Sequence, residues 1–459
     1  MTGYELLNRL NKKEYKELFS SLYGTEGMDF AFQRYERLAG EMLNDSIFPE
    51  SKFPEAVGDL RIFSVPGRTE LGGNHTDHNR GKVFAASIQL DAVAIVAPRA
   101  DKQVFFRSRG HDDVLVDIGD LSIKENEKGK ADALIRGIAA EFAARGSPVE
   151  GFTANADNMV LTGSGLSSSA AVEVLIAKIF DNLYCGGKRS ALELAQIGQK
   201  AENVHFGKPC GLMDQTACAS GGAVAIDFKD LQNPIVKEIG FDPAAAGFAL
   251  TVVDTKGTHA DLTPDYAAIP AEMKAAAAFY GKNVLRELDE ESLLSRLSDL
   301  RKAAGDRAVL RALHFFNENR LVDKMLVALE KLDSLPTGEE ARLTTSKWSD
   351  EKGKAMEDFL ALVRESGNSS WELLQNVFSV KFPNEQGVSL AQALTRKFLE
   401  SSGSKGACRV HGGGFAGTIQ AYLPLDKLGD YQKFMEGVFG NGSVTVLRIR
   451  PVGAIEIGF

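Results

Sequence analysis

The chain has 459 residues, 44% of them apolar and 25% charged, with a formal net charge of −9 at pH 7. At roughly 100–200 residues per domain this length makes two or three domains with ample material for a core, which excludes global disorder. The acidic balance excludes a broad nucleic-acid footprint, which needs a basic excess, but leaves room for a locally positive pocket that takes a small anion. The four cysteines, Cys185, Cys210, Cys218 and Cys408, contain no CxxC pair, so they read as reduced thiols and not as a zinc or redox site.

The first residues, MTGYELLNRLNKKEYKELF, carry charges throughout and lack the apolar segment of a signal peptide. The longest apolar run, AAVEVLIAKIF, is interrupted by Glu173 and Lys178 and is too short to span a bilayer. The expected location is the cytoplasm. Leu6, Leu7, Leu10, Tyr15, Leu18 and Phe19 fall near helical spacing, and a second helix is expected over Met28 to Leu43. Residues 1–57 therefore read as a helical extension that packs on the remainder.

Leu60, Ile62, Phe63 and Val65 predict a strand, ended by Pro66 and Gly67. The stretch GRTELGGNHTDHNRG, Gly67 to Gly81, is then expected as a polar loop. KVFAASIQLDAVAIVAPR, QVFFRSRG and DVLVDIGDL predict a run of strands in a mixed or antiparallel sheet. ADALIRGIAAEFAARG is an amphipathic helix closed by Gly146. GFTANADNMVLTGSGLSSSAAVEVLIAKIFDNLY reads as strand, glycine turn and helix, and ALELAQIGQKAENVHFG as another helix. AVAIDFKDLQNPIVKEIGF reads as strand, loop and strand. FALTVVDT starts a fresh strand after DPAAAG, which places a boundary near residue 240 and divides the rest into 58–240 and 241–459. Residues 266–400 are mostly helical in pattern, with breaks expected at DSLPTGEE and ESGNSS, and the chain closes in strands. This order predicts two α+β domains and not a doubly wound parallel sheet.

Four stretches carry chemistry. In LTGSGLSSSAA, two glycines and a run of serines lead into an apolar helix. Glycines let the backbone approach an anion, the helix start offers free N–H groups and the positive end of the dipole, and a serine can ligate magnesium. One serine suffices for a helix cap, so three in a row after two glycines predict phosphate binding. No Walker lysine follows the glycines. RVHGGGFAGTIQAYLP places glycines between strand-like runs, where the backbone can approach a ligand as a second wall of the same pocket. AENVHFGKPCGLMDQTACASGG holds Glu202 on a helix and Asp214 after a turn, two carboxylates that can divide labour between magnesium and an acceptor hydroxyl. In the stretch from Gly67 to Gly81, Arg68 can neutralise a phosphoryl group in transfer, and His75 and Asp77 can grip paired hydroxyls.

Together and in this order the four stretches resemble the GHMP small-molecule kinases, and within them the galactokinases. The first is similar to GRxNxIGEHTDYNxG, the second to PxGxGLSSSAA, the third to CGIMDQ and the fourth to GGGFGG; GLSSSAA and MDQ match letter for letter. The resemblance covers about residues 58 to 459. It implies a two-domain α+β GHMP kinase fold with mixed sheets and the active site between domains, working as a monomer on a small-molecule sugar, with no nucleic acid or membrane partner, and with ATP and Mg2+ as cofactors. It assigns catalysis to Asp214 and Arg68, sugar binding to Asn74, His75, Asp77, Gly211 and Tyr266, and ATP binding to Gly163, Ser164, Gly165, Leu166, Ser167, Ser168, Ser169 and Ala170. Ser169 and Glu202 become the metal ligands. The implied reaction is phosphorylation of D-galactose at C1.

The departures are as informative. Glu70 stands where the pattern has Asn, Asn74 where it has Glu, His78 where it has Tyr, Leu161 where it has Pro, and Ala416 where it has Gly. In the family the glutamate at the position of Asn74 accepts a bond from the sugar's C6 hydroxyl. A neutral amide there keeps two alternatives open: a kinase for galacturonate or another modified galactose, and a sugar-sensing relative that has lost catalysis. The intact GLSSSAA, Arg68 and Asp214 favour an enzyme.

Overall fold

Runs of β-branched and aromatic residues form two sheets, and the helical patterns cover them. The computed structural model describes residues 1–44, 59–161, 163–257, 262–333 and 346–458. The strands are β1 (Arg61–Gly72), β2 (Lys82–Pro98), β3 (Gln103–Ser108), β4 (Val114–Asp117), β5 (Phe152–Asn158), β6 (Ala223–Asp227), β7 (Ile235–Ile239), β8 (Phe248–Asp254), β9 (Ala407–Val410), β10 (Thr418–Pro424), β11 (Val444–Leu447) and β12 (Ile455–Ile457). The larger sheet runs β12-β1-β2-β5-β3-β4, with β6 on the lower half of β2 and β7 on β6; the smaller runs β11-β8-β10-β9. Among the described residues only β3 and β5 pair in parallel, so the large sheet is mixed and the small one antiparallel.

β1 corrects the expected boundary at Pro66. The strand continues to Gly72 and is buried along almost its whole length. Its register against β2 shifts between Pro66 and Arg68 and again between Glu70 and Gly72. Pro66 is the last paired residue before the first shift, with Gly67 left out of register, so the strand resumes beyond the proline. The polar letters Arg68, Thr69 and Glu70 stay in a buried strand because each meets a partner from elsewhere in the fold: Thr69 accepts from Gln420 (2.8 Å), and those of Arg68 and Glu70 are described below.

Helices Gly3–Asn11 and Lys16–Met42 cover the outer face of the large sheet, the second kinked at Gly24 (φ 75°). Phe19, Leu22, Phe32, Tyr35 and Leu38 pack there against Ile62, Val93, Ile95, Phe105 and Ile457. Beneath them Asp91 collects Arg34 (2.6 Å), Arg450 (2.9 Å), Ser64 (2.6 Å) and Tyr23 (2.7 Å). Burial works to raise this carboxyl, but Arg34 and Arg450 outweigh it and the net shift is downward. Asp91→Ala leaves Arg450 buried without its anion and Arg34 with Asp157 alone, and its thermal or urea unfolding is expected to show a loss of about 3–5 kcal/mol. A loss below 1 kcal/mol would show that the network is incidental.

β12, at the end of the chain, pairs with β1, so the closing segment returns to the first sheet. Val322, Met325, Met356 and Phe359 from the later helices also join the core beneath the large sheet. The break expected at ESGNSS is absent. Helix Ser346–Ser369 runs on into a π-turn, Ser370–Leu374. The reason is that these small polar residues are a buried seam: Ser366 donates to Glu318 (3.0 Å), Ser369 bonds His314 (2.8 Å), and a Cβ at Gly367 would lie 2.8 Å from the Cys408 carbonyl oxygen. The break expected at DSLPTGEE lies, past its first residue, outside the described residues. No helix among the described residues is long and apolar enough to cross a membrane.

Candidate functional site

The two bulges of β1 aim Arg68 and Glu70 at different partners. Arg68 donates from Nε (3.0 Å) and Nη2 (2.7 Å) to Asp214 Oδ1, and from Nη1 to the Gly165 carbonyl. Asp214 lies in the first turn of helix Met213–Ser220, and its other oxygen accepts from Ser167 Oγ at 2.5 Å. Burial works to raise the Asp214 carboxyl, but Arg68 and Ser167 outweigh it and hold it below the ordinary range. Asp214 is therefore a carboxylate at neutral pH, with about a third of its side chain (36%) still exposed.

The serine loop is wound for close approach. Gly163 (φ 77°), Gly165 (φ 70°) and Ser167 (φ 63°) all take left-handed backbone, directly before helix Ser168–Tyr184. Ser167 makes no cap bond to that helix; its hydroxyl goes to Asp214 instead. Ser168 Oγ accepts from Asn158 (2.8 Å), and Ser164 Oγ donates to the Leu161 carbonyl (2.6 Å). Leu166 and Ala170 are buried, so these two offer only backbone to a ligand, while Ser169 is exposed on the first turn. His411, from the glycine-rich segment, braces the loop from behind. Its Nδ1 donates to the Ser164 carbonyl (3.2 Å) and its Nε2 accepts from the Glu70 N–H (3.4 Å), the neutral form that burial enforces by pushing its pKa down to about 3.

Beside this loop lies a cavity of about 820 Å³ whose wall includes Arg68, Glu70, Asn74, Asp77, Asp214 and Tyr266. His75, His78, Gly211 and Gly413 also line it. His75 holds a left-handed backbone (φ 59°) and its Nε2 donates to the Gly413 carbonyl (3.0 Å); burial lowers its pKa to about 4. His78, which stands where the family pattern has Tyr, stacks on His75 with ring centroids 6.3 Å apart. Gly211 sits so close to Asp77 that a Cβ there would fall 1.8 Å from Oδ2. Tyr266 donates to the Gly414 carbonyl (3.1 Å), and a Cβ at Gly413 would strike its ring at 2.6 Å. These glycines leave room for the side chains that shape the cavity.

The floor of the cavity is held by residues that the sequence reading did not single out. Glu318 accepts from the backbone N–H groups of Gly73 (3.1 Å) and Asn74 (3.4 Å), and His314 Nε2 donates to the Asn74 carbonyl (2.9 Å). The available signal is a polar pair at i and i+4 in helix Asp306–Asp333, a spacing that puts both on one face. Asn376 donates to Asn74 Oδ1 (2.9 Å), and Arg409 forms a buried ion pair with Glu70 (2.6 Å).

On the far side of Asp214, helix Ala191–Ala201 ends in a π-turn, Glu202–Phe206, that turns Glu202 inward. Glu202 accepts from Lys208 (3.0 Å) and Gln215 (3.2 Å); Gln215 also donates to Glu173 (2.9 Å). Burial and the adjacent Glu202 push Glu173 up to about 8, and its Oε1 has no hydrogen-bond partner. Glu173 follows Ser169 by four residues on one helix face. An exposed serine, a carboxylate turned inward and a second carboxyl with a spare oxygen are donors suited to a hard cation that keeps waters and phosphate oxygens. Among the described residues, no group of three His, Cys, Asp or Glu side chains forms a closed metal cage.

Comparison with known proteins agrees with this geometry. The family "GHMP kinases N terminal domain" matches residues 133–222, and the "Galactokinase galactose-binding signature" matches residues 51–98. A galactokinase of Streptomyces coelicolor is 33% identical over 282 residues, 60% of this chain and 71% of that one. A galactokinase of Mannheimia succiniciproducens is 29% identical over 390 residues, 83% and 89% of the two chains. The crystal structure of Lactococcus lactis galactokinase complexed with galactose superposes with a TM-score of 0.68 at 24% identity, over 87% of this chain and 95% of that one. The mevalonate kinase of Methanococcus jannaschii superposes with a TM-score of 0.55 at 13% identity, over 85% and 99%.

Proposed function

We propose, because the chain belongs to the galactokinase family of GHMP kinases, that it transfers the γ-phosphoryl group of ATP to the C1 hydroxyl of D-galactose, giving galactose 1-phosphate and ADP. The observation that carries this reading is the Arg68–Asp214–Ser167 constellation, which joins the serine loop to the sugar-sized cavity.

Asp214 is the catalytic carboxylate and Arg68 its counter-charge. With C1 facing it, Asp214 accepts the hydroxyl hydrogen bond, orients the oxygen in line with the γ-phosphorus and takes the proton as the new P–O bond forms and the bond to the β,γ-bridging oxygen breaks. Arg68 offsets charge on the transferring group. In a loose transition state such positioning and charge neutralisation supply most of the catalysis. His75, Asp77, Gly211 and Tyr266 shape the sugar side, and residues 163–170 take the phosphates on backbone N–H groups at the helix start. Ser169 and Glu202 are the residues that would hold Mg2+, which neutralises phosphate oxygens when bound.

A monomer is the working unit of this proposal, and four free cysteines support a reducing cytoplasm. The division into a helical extension (1–57), an N-terminal half (58–240) and a C-terminal half (241–459) is proposed with β12 returning to the first sheet.

The test is ADP release by the purified chain over a panel of sugars. Turnover is expected with D-galactose. Strong turnover on D-galacturonate with none on D-galactose would overturn the substrate, and no sugar-stimulated ADP release at all would overturn the enzyme.

A further inference from the structure

Asn74 lines the cavity but is fully buried, and both of its amide hydrogens are engaged elsewhere. Its Nδ2 donates to the Gly412 carbonyl (2.7 Å) and to Glu70 Oε1 (3.0 Å) and Oε2 (3.3 Å), and its Oδ1 accepts from Asn376 (2.9 Å). Both amide hydrogens are thus spent, and the oxygen is held by a buried partner. Glu70 lines the same cavity with its two oxygens unequally used. Oε1 takes Arg409 at 2.6 Å and Asn74 at 3.0 Å, whereas Oε2 takes only the long branch from Asn74. A carboxylate oxygen accepts two good hydrogen bonds, so Oε2 is the underused acceptor of this wall.

We propose that Glu70, and not Asn74, accepts a sugar hydroxyl in this cavity, with Asn74 and Arg409 holding its carboxylate in place. The inference rests on the galactokinase reading above and makes Glu70 a residue that determines sugar specificity. Positions 70 and 74 carry Glu and Asn here where the GRxNxIGEH pattern carries Asn and Glu, and in this structure the two side chains touch. The pair has exchanged places and kept one carboxylate against one amide. A carboxylate oxygen in this wall accepts a hydroxyl, while Arg409 offsets its charge.

The experiment measures kcat and KM of the wild-type chain and Glu70→Gln with D-galactose and with its 2-, 3-, 4- and 6-deoxy analogues. In the wild type one deoxy analogue is expected to lose roughly 10–100-fold in kcat/KM, the size of a hydrogen bond to a charged group. Glu70→Gln is expected to raise KM for galactose more than it lowers kcat, and to shrink that one analogue's penalty while leaving the others. An identical deoxy profile in wild type and Glu70→Gln overturns the inference and leaves the galactokinase reading intact; a wild type inactive on galactose overturns the reading itself. If Glu70→Gln does not fold, the exchanged pair E70N/N74E replaces it. It keeps one carboxylate against one amide, and a changed deoxy profile is expected because the acceptor has moved. An unchanged profile overturns the proposal.

Discussion

Asp214→Asn is expected to lower kcat for galactose phosphorylation by roughly 10²–10⁴-fold, the range for removing a positioned acid–base group. The substitution keeps size and shape but removes the charge that Arg68 (2.7 Å) and Ser167 (2.5 Å) surround. KM for galactose should move far less, because the cavity wall formed by Asp77, His75 and Tyr266 remains. Far-ultraviolet circular dichroism and the unfolding midpoint check that the loss is chemical. Near-wild-type turnover in a folded Asp214→Asn chain would remove Asp214 from the mechanism.

Arg68→Ala is the second large effect, about 10³-fold in kcat by analogy with arginines that stabilise transferring phosphoryl groups. It carries a second readout. In the wild type Asp214 sits below its ordinary range because Arg68 and Ser167 outweigh burial. Without Arg68 the burial remains and much of the opposing attraction is gone, so the Asp214 pKa rises. A group that works as a carboxylate then loses activity at a higher pH as the solution is acidified. The acid limb of the kcat profile is expected to move upward in Arg68→Ala, and Arg68→Lys, which keeps the charge but not the two-pronged contact, should fall between. An acid limb that stays in place would show that Arg68 does not set the state of Asp214.

The residues that line the cavity and the serine loop were largely legible in short segments, because they lie within a few residues of the turns that present them. Gly163 and Gly165 announce a backbone that approaches an anion, and Arg68, His75 and Asp77 sit in one 15-residue stretch. The elements too were mostly readable from period and punctuation. The misreadings have a common cause. Pro66 looked like a strand end and ESGNSS like a helix break, since proline, glycine and small polar residues are terminators when water is their partner. Here Pro66 falls at a bulge, and Ser366 and Ser369 bond Glu318 and His314 in the interior.

The sequence by itself pointed to the kind of reaction, because a glycine- and serine-rich turn, a carboxylate with an arginine elsewhere and a polar stretch are each readable from residue type and local spacing. Which atoms remain free to meet the sugar was decided only by the tertiary structure. Read as a letter, Asn74 is an available amide that unsettles the choice of substrate. In the folded chain Asn376 and Gly412, more than 300 residues away, take up its oxygen and one of its hydrogens, and Arg409 fixes Glu70 beside it. A buried polar group must be paired, and its partners come from whatever the fold brings near, so the free acceptor of a pocket is a property of the packing and not of the motif.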